Sequence, residues 1–301
     1  MGNPSFEPRK SAGKALYRWI FVAAALIVAG GAAFVIAYRP APRTPAEHDL
    51  DRTVAVLPFE NASGDAAQDY LSDGIAANLI GSLTRVHDLK VIGRNSSFQF
   101  RHGRVDWQAI GAKLGATCLL EGSAQRKDGR IRIDARLITA ADGRTLWSEK
   151  YDRESKDIFA VQAQIARAVA TSLHATAPAD DALTPARPPG DDAVAYDQLL
   201  QGDFQFRLAT EDGYRHAIAH YDQAIQRSPK YAAAFAVRAL AWENLGAEHL
   251  GGDALKEAFA HAEESARAAL ELDASQVPAH IALGLVLQDA KSDFAAAEAE
   301  F

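Results

Sequence analysis

The hydrophobic pattern divides the chain into one long apolar run and two segments of mixed character. Residues 19–38 contain no charged side chain, and as a helix rising about 1.5 Å per residue they would span about 30 Å, the thickness of a bilayer core. Trp19 and Tyr38 stand at the two ends, where interfacial aromatic residues are typical of membrane spans. The run predicts one transmembrane helix; a cleaved signal peptide and a buried core helix are the alternatives.

Residues 51–176 alternate short apolar strands with amphipathic stretches. The apolar run at 54–59 predicts a strand, and apolar residues at helical spacing from Leu71 predict a helix. Asp106 is expected to cap a second helix that Gly115 closes. Residues 130–138 then alternate between apolar and charged, which predicts a half-exposed strand between two hairpin turns. The pattern predicts an α/β domain with a mixed sheet and an antiparallel meander; the arginine-rich strand face is either solvated or an anion-binding surface.

Beyond a proline-rich linker at 177–192, residues 193–301 have the alanine-rich pattern of an all-α repeat domain. Ala217, Tyr221, Ala224 and Pro229 follow the spacing small–x3–aromatic–x2–Ala–x4–Pro, and the spacing recurs from Ala262 and begins again at Ala297. A single helical hairpin cannot bury its own apolar face, so neighbouring hairpins are expected to stack. The third repeat is incomplete at residue 301, which predicts a longer form with further repeats.

The charge distribution predicts the orientation of the membrane helix. Residues 1–50 carry six Lys or Arg and three acidic residues, whereas the rest of the chain has a net charge of −10. Because most of the cations precede residue 19, the positive-inside rule places the tail, residues 1–18, in the cytoplasm and everything after Tyr38 across the membrane. Prolines in residues 39–50 predict an extended linker. The acidic body disfavours nucleic-acid binding, since phosphate contacts need clustered cations.

Five short motifs in residues 51–175 resemble the TolB-like amino-terminal domain of bacterial envelope and signalling proteins. They are Val-Ala-Val-Leu-Pro-Phe-Glu-Asn-Ala-Ser-Gly-Asp (54–65), Leu-Ser-Asp-Gly-Ile (71–75), Arg-Asn-Ser-Ser-Phe (94–98), Leu-Glu-Gly-Ser (120–123) and Thr-Leu-Trp-Ser-Glu-Lys-Tyr-Asp (145–152). Residues 193–301 resemble tetratricopeptide (TPR) repeats. The resemblance implies a single-pass protein of the bacterial inner membrane with periplasmic domains.

Relatives of this kind commonly place the TolB-like domain between a cytoplasmic effector, which is a winged-helix DNA-binding domain or a nucleotide cyclase, and carboxy-terminal repeats. Only 18 residues precede the apolar run here. The sequence therefore favours a non-catalytic scaffold or adaptor that binds envelope proteins. The alternative is a periplasmic sensor or accessory module that acts on a separate cytoplasmic effector.

Candidate chemistry is sparse in both segments. His216 and His220 lie four apart, as half of a zinc site would, but without an evident third ligand they are interpreted as solvent-facing. Asp69 and Asp73 are interpreted as partners of a helix dipole, and Cys118 as a small buried hydrophobe. We predict no catalytic residues, no metal and no cofactor. An unassigned ligand-binding or enzymatic function of the α/β domain stays open.

The predicted binding surface is the groove lined by the first helix of each repeat. Matching Phe235 to His280 as equivalent positions selects the polar residues that would face partners. Those of one repeat are Arg238, Glu243 and Asn244, and those of the next are Gln288 and Asp289. The alternative is an ordinary solvated helix face. The acidic body suggests basic or helical peptides of the cell envelope as partners.

Overall fold

The computed structural model describes residues 52–101, 106–179, 183 and 187–301. The predicted tail, transmembrane helix and first linker, with Trp19 and Tyr38, lie outside the described residues. Among the residues that are described, no helix combines the length and the apolar character needed to cross a bilayer.

The described chain begins with an α/β part and continues as helices alone. Its strands are β1 (Thr53–Val56), β2 (Glu60–Asn61), β3 (Lys90–Val91), β4 (Cys118–Lys127), β5 (Arg130–Thr139) and β6 (Thr145–Glu154). The helices of the α/β part are α1 (Asp69–Thr84), α2 (Arg94–Ser97), α3 (Trp107–Leu114) and α4 (Ile158–Ser172). The helical part contains α5 (Ala193–Phe206), α6 (Glu211–Arg227), α7 (Ala232–His249), α8 (Gly252–Leu272), α9 (Val277–Lys291) and α10 (Phe294–Glu300).

The strands form one mixed sheet in the order β3-β1-β4-β5-β6, with β2 also pairing with β4. β1 is parallel to β3 and β4, whereas β4, β5 and β6 are antiparallel and consecutive. Gly129 and Gly143 take positive φ angles of 72° and 68° in the two hairpin turns, a conformation that costs glycine little. The predicted mixed sheet with a meander is confirmed.

Alternation along the strands gives the sheet two apolar faces. Val54 and Val56 of β1 pack into the core beneath α1 and α4, whereas Ala55 packs on the opposite face with Ile110 of α3. Asp106 caps α3 by accepting from the Ala109 amide at 3.1 Å, and Gly115 ends it with a left-handed φ of 65°, as predicted. Helices therefore cover both faces of this end of the sheet.

The charged face of β5 is a solvated surface on which ion pairs connect neighbouring strands. Asp152 on β6 accepts from Arg130 Nε at 2.6 Å and from Arg132 Nε at 2.9 Å, and Lys150 pairs with Asp134 at 2.8 Å. Because these cations already face carboxylates on neighbouring strands, this surface offers little excess positive charge to an anion. The solvated-face interpretation is the one that the structure favours.

The helical part is built from helices that pack in chain order, as the alanine pattern predicts. α5 packs on α6, α7 on α8, and α9 on α10, and α7 also packs against α9. Buried alanines such as Ala239, Ala266 and Ala282 lie at these contacts, where their small side chains allow close approach. Helical hairpins thus stack side by side from residue 193 onwards.

α5 joins the helical part to the α/β part through a continuous apolar core. Leu200 of α5 contacts α1 so closely that a Cβ atom built on Gly74 would lie 2.7 Å from its Cδ2. The buried Tyr196 hydroxyl receives hydrogen bonds from Asn78 Nδ2 at 2.7 Å and Gln162 Nε2 at 2.8 Å. Leu183, within the predicted linker, is also buried, and its carbonyl accepts from Ser82 Oγ at 2.6 Å. The orientation of α5 on the α/β part is therefore fixed by packing.

Candidate functional site

The predicted groove residues occupy two different sides of α7. The Arg238 guanidinium lies between α6 and α8, where Nη1 pairs with Asp222 at 2.7 Å and Nε donates to Ser265 Oγ at 3.1 Å. Asn244 donates to the Leu240 carbonyl of its own helix at 2.8 Å. Glu243 is buried instead, and burial followed by the charge of Asp289 of α9 raises its pKa. Because a helix turns about 100° per residue, five positions separate Arg238 from Glu243 by about 140° around α7.

The acidic charges that act on Glu243 belong to Asp289 of α9 and to Glu248 of α7 itself. Gln288, exposed on α9, donates to Asp289 Oδ1 at 3.1 Å. Glu248, five positions further along α7, accepts from the Tyr214 hydroxyl of α6 at 3.1 Å. We refer to Glu243, Glu248 and Asp289 as the acidic patch. These residues belong to two helices that pack on each other, and their role in a repeat groove stays a prediction.

The carboxylate of Glu243 is in an unfavourable environment for a charge. Glu243 is only 4% exposed, and burial, followed by the charges of Asp289 and Glu248, raises its pKa to about 7. A buried ionised carboxylate is costly unless it is paired or hydrogen-bonded. Near neutral pH this group therefore exists in both protonation states, and an added positive charge would favour the ionised one.

A second cluster of charges joins the α/β part to the helical part. Asp73 on α1 is 2% exposed, and its carboxylate forms ion pairs with Arg101 Nη2 at 2.6 Å and Arg207 Nη2 at 3.0 Å. Arg207 directly follows α5, so the second pair crosses between the two parts. The sequence-based role of Asp73 as a helix-dipole partner is wrong: α1 begins at Asp69, and Asp73 lies one turn inside it.

Arg94, Asp203 and Tyr221 extend this junction cluster. The Tyr221 hydroxyl donates to Asp203 Oδ1 at 2.9 Å, and the Arg94 guanidinium lies over the Phe98 ring, 4.7 Å from its centre. Burial, and then the charge of Arg207, lower the pKa of Arg94 to about 10, while burial raises the pKa of Asp203. Three guanidinium groups therefore share two carboxylates, so Asp73 is needed to balance the charge at the junction.

A cavity of about 470 Å³ opens beside the junction cluster. Arg101 and Arg207 line it together with Glu60, Asp69 and Asp73. These charges are of both signs, and Asp73 is already paired with both arginines. We interpret the cluster as the structural connection between the two parts. The residues of this cluster are far apart in the sequence: Asp73 and Arg207 are separated by 134 residues. The one sequence signal for the cluster is therefore a charged residue, Asp73, inside the apolar stripe of a helix.

The other residues that the sequence analysis considered as metal ligands or nucleophiles are His216, His220 and Cys118. His216 is exposed, and His220 lies 2.8 Å from Gln198 Oε1 through its Nδ1. Cys118 is buried in β4, and burial raises the pKa of its thiol, which disfavours a reactive thiolate. Within the described ranges no group of three His, Cys, Asp or Glu side chains is placed to hold a metal ion.

Comparison with known proteins finds a match that extends over most of this chain. The chain is 34% identical over 258 residues to the protein named "Putative adenylate cyclase 3" of Rhizobium meliloti (strain 1021). The match covers 84% of this chain and 42% of the relative, so this chain spans about two fifths of the relative's length. No protein-family model matches the chain.

Two solved structures show weak similarity to part of the chain. Lipoprotein GNA1162 from Neisseria meningitidis has a TM-score of 0.30 and 17% identity, covering 34% of this chain and 80% of its own. TolB from Acinetobacter baumannii has a TM-score of 0.33 and 14% identity, covering 42% of this chain and 29% of its own. At these TM-scores neither structure defines the fold or the function of this protein.

Proposed function

We propose that the protein is a non-catalytic, membrane-anchored scaffold or adaptor that binds protein or peptide partners of the bacterial envelope. The observation that supports this proposal is the direct packing of α7 on α9, the two helices that carry Glu243 and Asp289. Polar residues of the two repeat-like hairpins would then converge on one groove. Such convergence is what a groove for an extended or helical partner requires.

The attachment of α5 to the α/β part supports a scaffold role. Because Tyr196 and Leu200 are packed and hydrogen-bonded against α1 and α4, the stacked helices are held in a fixed orientation to the sheet. A surface that is already in place loses less conformational entropy when a partner binds. The TolB-like and TPR-like parts would then act as one rigid unit that holds the binding surface in place for a partner.

The proposed location is the bacterial inner membrane. Residues 19–38 would anchor the chain, with Trp19 and Tyr38 at the interfaces, the amino terminus in the cytoplasm and the domains in the periplasm. Confinement to a membrane surface raises the effective concentration of partners in the same compartment without any new contact.

Site-specific crosslinking in living cells tests this function. A photoreactive phenylalanine analogue at Gln288, exposed on α9, is expected to form an adduct with a periplasmic or inner-membrane protein. The matched position is Glu257, exposed on α8 and away from the acidic patch, which is expected to give no such adduct. Asp289→Lys should abolish the adduct at position 288. Equal adducts at both positions, or none at 288, would contradict the proposed groove.

A second candidate function is that of an accessory module in nucleotide-cyclase signalling. The similarity to a protein named as an adenylate cyclase favours it. In that case, deleting the chain from its host should change the cellular cyclic AMP concentration at least twofold, and Asp289→Lys should reproduce the change. If the cyclic AMP concentration, measured by immunoassay, is unchanged in both strains, the accessory role is contradicted and the scaffold role is the one supported.

A further inference from the structure

β6 forms one edge of the sheet along its whole length. This ten-residue strand pairs with β5 on one side, and no strand pairs with its other side within the ranges that the structure describes. Its exposed side chains include Glu149, Lys150, Arg153 and Glu154. An open edge presents a row of backbone N–H and C=O groups, so β6 is a surface to which a further strand can pair.

The backbone groups that face outwards belong to the even-numbered residues of β6. The Ser155 amide, directly after β6, donates to the Gly129 carbonyl at 2.9 Å, so odd-numbered residues direct their backbone groups towards β5. Because the two kinds of position alternate along an antiparallel pair, the even-numbered residues face away from β5. The outward Asp152 carbonyl accepts from Arg130 Nη2 and Arg153 Nη1, both at 3.0 Å. Both guanidinium groups are exposed, so they can turn to water when a partner strand approaches.

The charges on β6 are complementary to those of a second β6 that runs in the opposite direction. From residue 149 to residue 153 the sequence is Glu-Lys-Tyr-Asp-Arg. A twofold axis at Tyr151 places Glu149 opposite Arg153 and Lys150 opposite Asp152, and each pairing occurs twice. Moving the axis by one residue would place Lys150 or Asp152 opposite its own copy, and like charges in that position destabilise a strand pair. The sequence therefore favours one register.

Glu149 and Arg153 are the charges of β6 that are best placed for a partner strand. They lie opposite Ala135 and Ile131 of β5, which carry no counter-charge. The ion pairs with the charged face of β5 involve even-numbered residues of β6, whose side chains point to the other face of the sheet. Glu149 and Arg153 would therefore gain an opposite charge without giving up an ion pair with the residue opposite them on β5.

From this pattern we infer that β6 is a dimerisation edge, at which a second copy of this chain adds its own β6 in antiparallel orientation to form one continuous sheet. The inference goes beyond the proposed function and does not depend on it, because it concerns the sheet and not the groove of the stacked helices. Charged residues on an edge strand commonly prevent pairing by repulsion or by loss of water without a counter-charge. Here each charged residue from 149 to 153 meets an opposite charge.

Sedimentation velocity of the full chain in detergent solution tests the inference. We expect the wild type to form a reversible dimer at concentrations up to about 100 μM. Glu149→Arg and Arg153→Glu each place like charges opposite one another, so each variant alone should dimerise roughly 10-fold more weakly. An equimolar mixture of the two variants restores both opposite-charge pairs and should form a heterodimer with an affinity within about threefold of the wild type.

Glu257→Arg and Arg215→Glu are the matched controls, because they make the same charge changes at exposed positions of α8 and α6. Each should dimerise like the wild type, and circular dichroism shows whether each variant is folded. Three results would overturn the inference: a wild type that stays monomeric, equal effects of the β6 variants and the controls, or a mixture that does not recover the dimer. The crosslink from position 288 tests the proposed groove separately, since Glu149→Arg leaves the helical part unchanged.

Discussion

Replacing Asp73 with alanine is expected to lower the free energy of unfolding by about 3 kcal/mol, because two arginines then lose their shared carboxylate. Asp73 is buried, and its pairs with Arg101 and Arg207 connect α1 to the end of α5. The arginines are partly exposed, with 32% and 26% of their side-chain surfaces accessible, so water compensates some of the loss. Thermal unfolding by circular dichroism should show a decrease in Tm of roughly 6–12 °C.

Asp152 provides a matched control for this substitution. It also bridges two arginines, Arg130 and Arg132, but on the solvated face of the sheet, where 44% of its side chain is exposed. Surface ion pairs contribute little to stability because water and salt screen them. Asp152→Ala should therefore leave Tm almost unchanged. Equal effects of the two substitutions would show that the junction cluster is solvated in solution and does not connect the two parts.

Replacing Leu200 with alanine is expected to destabilise both parts of the protein together, by about 3 kcal/mol. The 1% exposed side chain of Leu200 fills the contact between α5 and α1, and its loss leaves a cavity in the core that the two parts share. Hydrogen exchange followed by mass spectrometry should show reduced protection in α1 as well as in α5 and α6.

Leu283→Ala is the comparison for this second substitution. Leu283 is similarly buried, at 4% exposure, but it belongs to the separate core between α7, α8, α9 and α10. Its replacement should reduce protection mainly in those helices. If Leu200→Ala left the protection of α1 unchanged, the sheet and the stacked helices would be independent folding units joined only by their contact surface.

Several helices and strands of this fold can be predicted from patterns that extend over only a few residues. The alternation in residues 130–138 predicts which face of β5 is buried, because successive side chains of a strand point to opposite faces. Asp106 and Gly115 predict the two ends of α3 for similarly local reasons. Alanine spacing predicts helical hairpins that stack, and the structure shows consecutive helices packed in that way.

Local sequence patterns are not sufficient to predict which side chains line the proposed groove. Aligning two repeat-like segments selects Glu243 and Asp289, which lie on the packed helices α7 and α9. The same alignment also selects Arg238. The position of Arg238 around the axis of α7 instead directs its side chain to Asp222 of α6 and Ser265 of α8. Equivalent sequence positions therefore do not define a shared face unless the rotation of each helix is known. Whether these residues bind a partner stays a prediction.

The amino-acid sequence by itself determined the kinds of elements, their order, the mixed sheet and the alternation of buried and exposed positions, because these depend on neighbours within a few residues. It also predicts a membrane span at 19–38. Only the tertiary structure decided that α5 is fixed to α1, that Asp73 pairs with Arg207 across 134 residues and that the acidic side chain of Glu243 is buried. Ion pairs and burial depend on which distant side chains meet, and that is set by the packing of whole elements rather than by any local pattern.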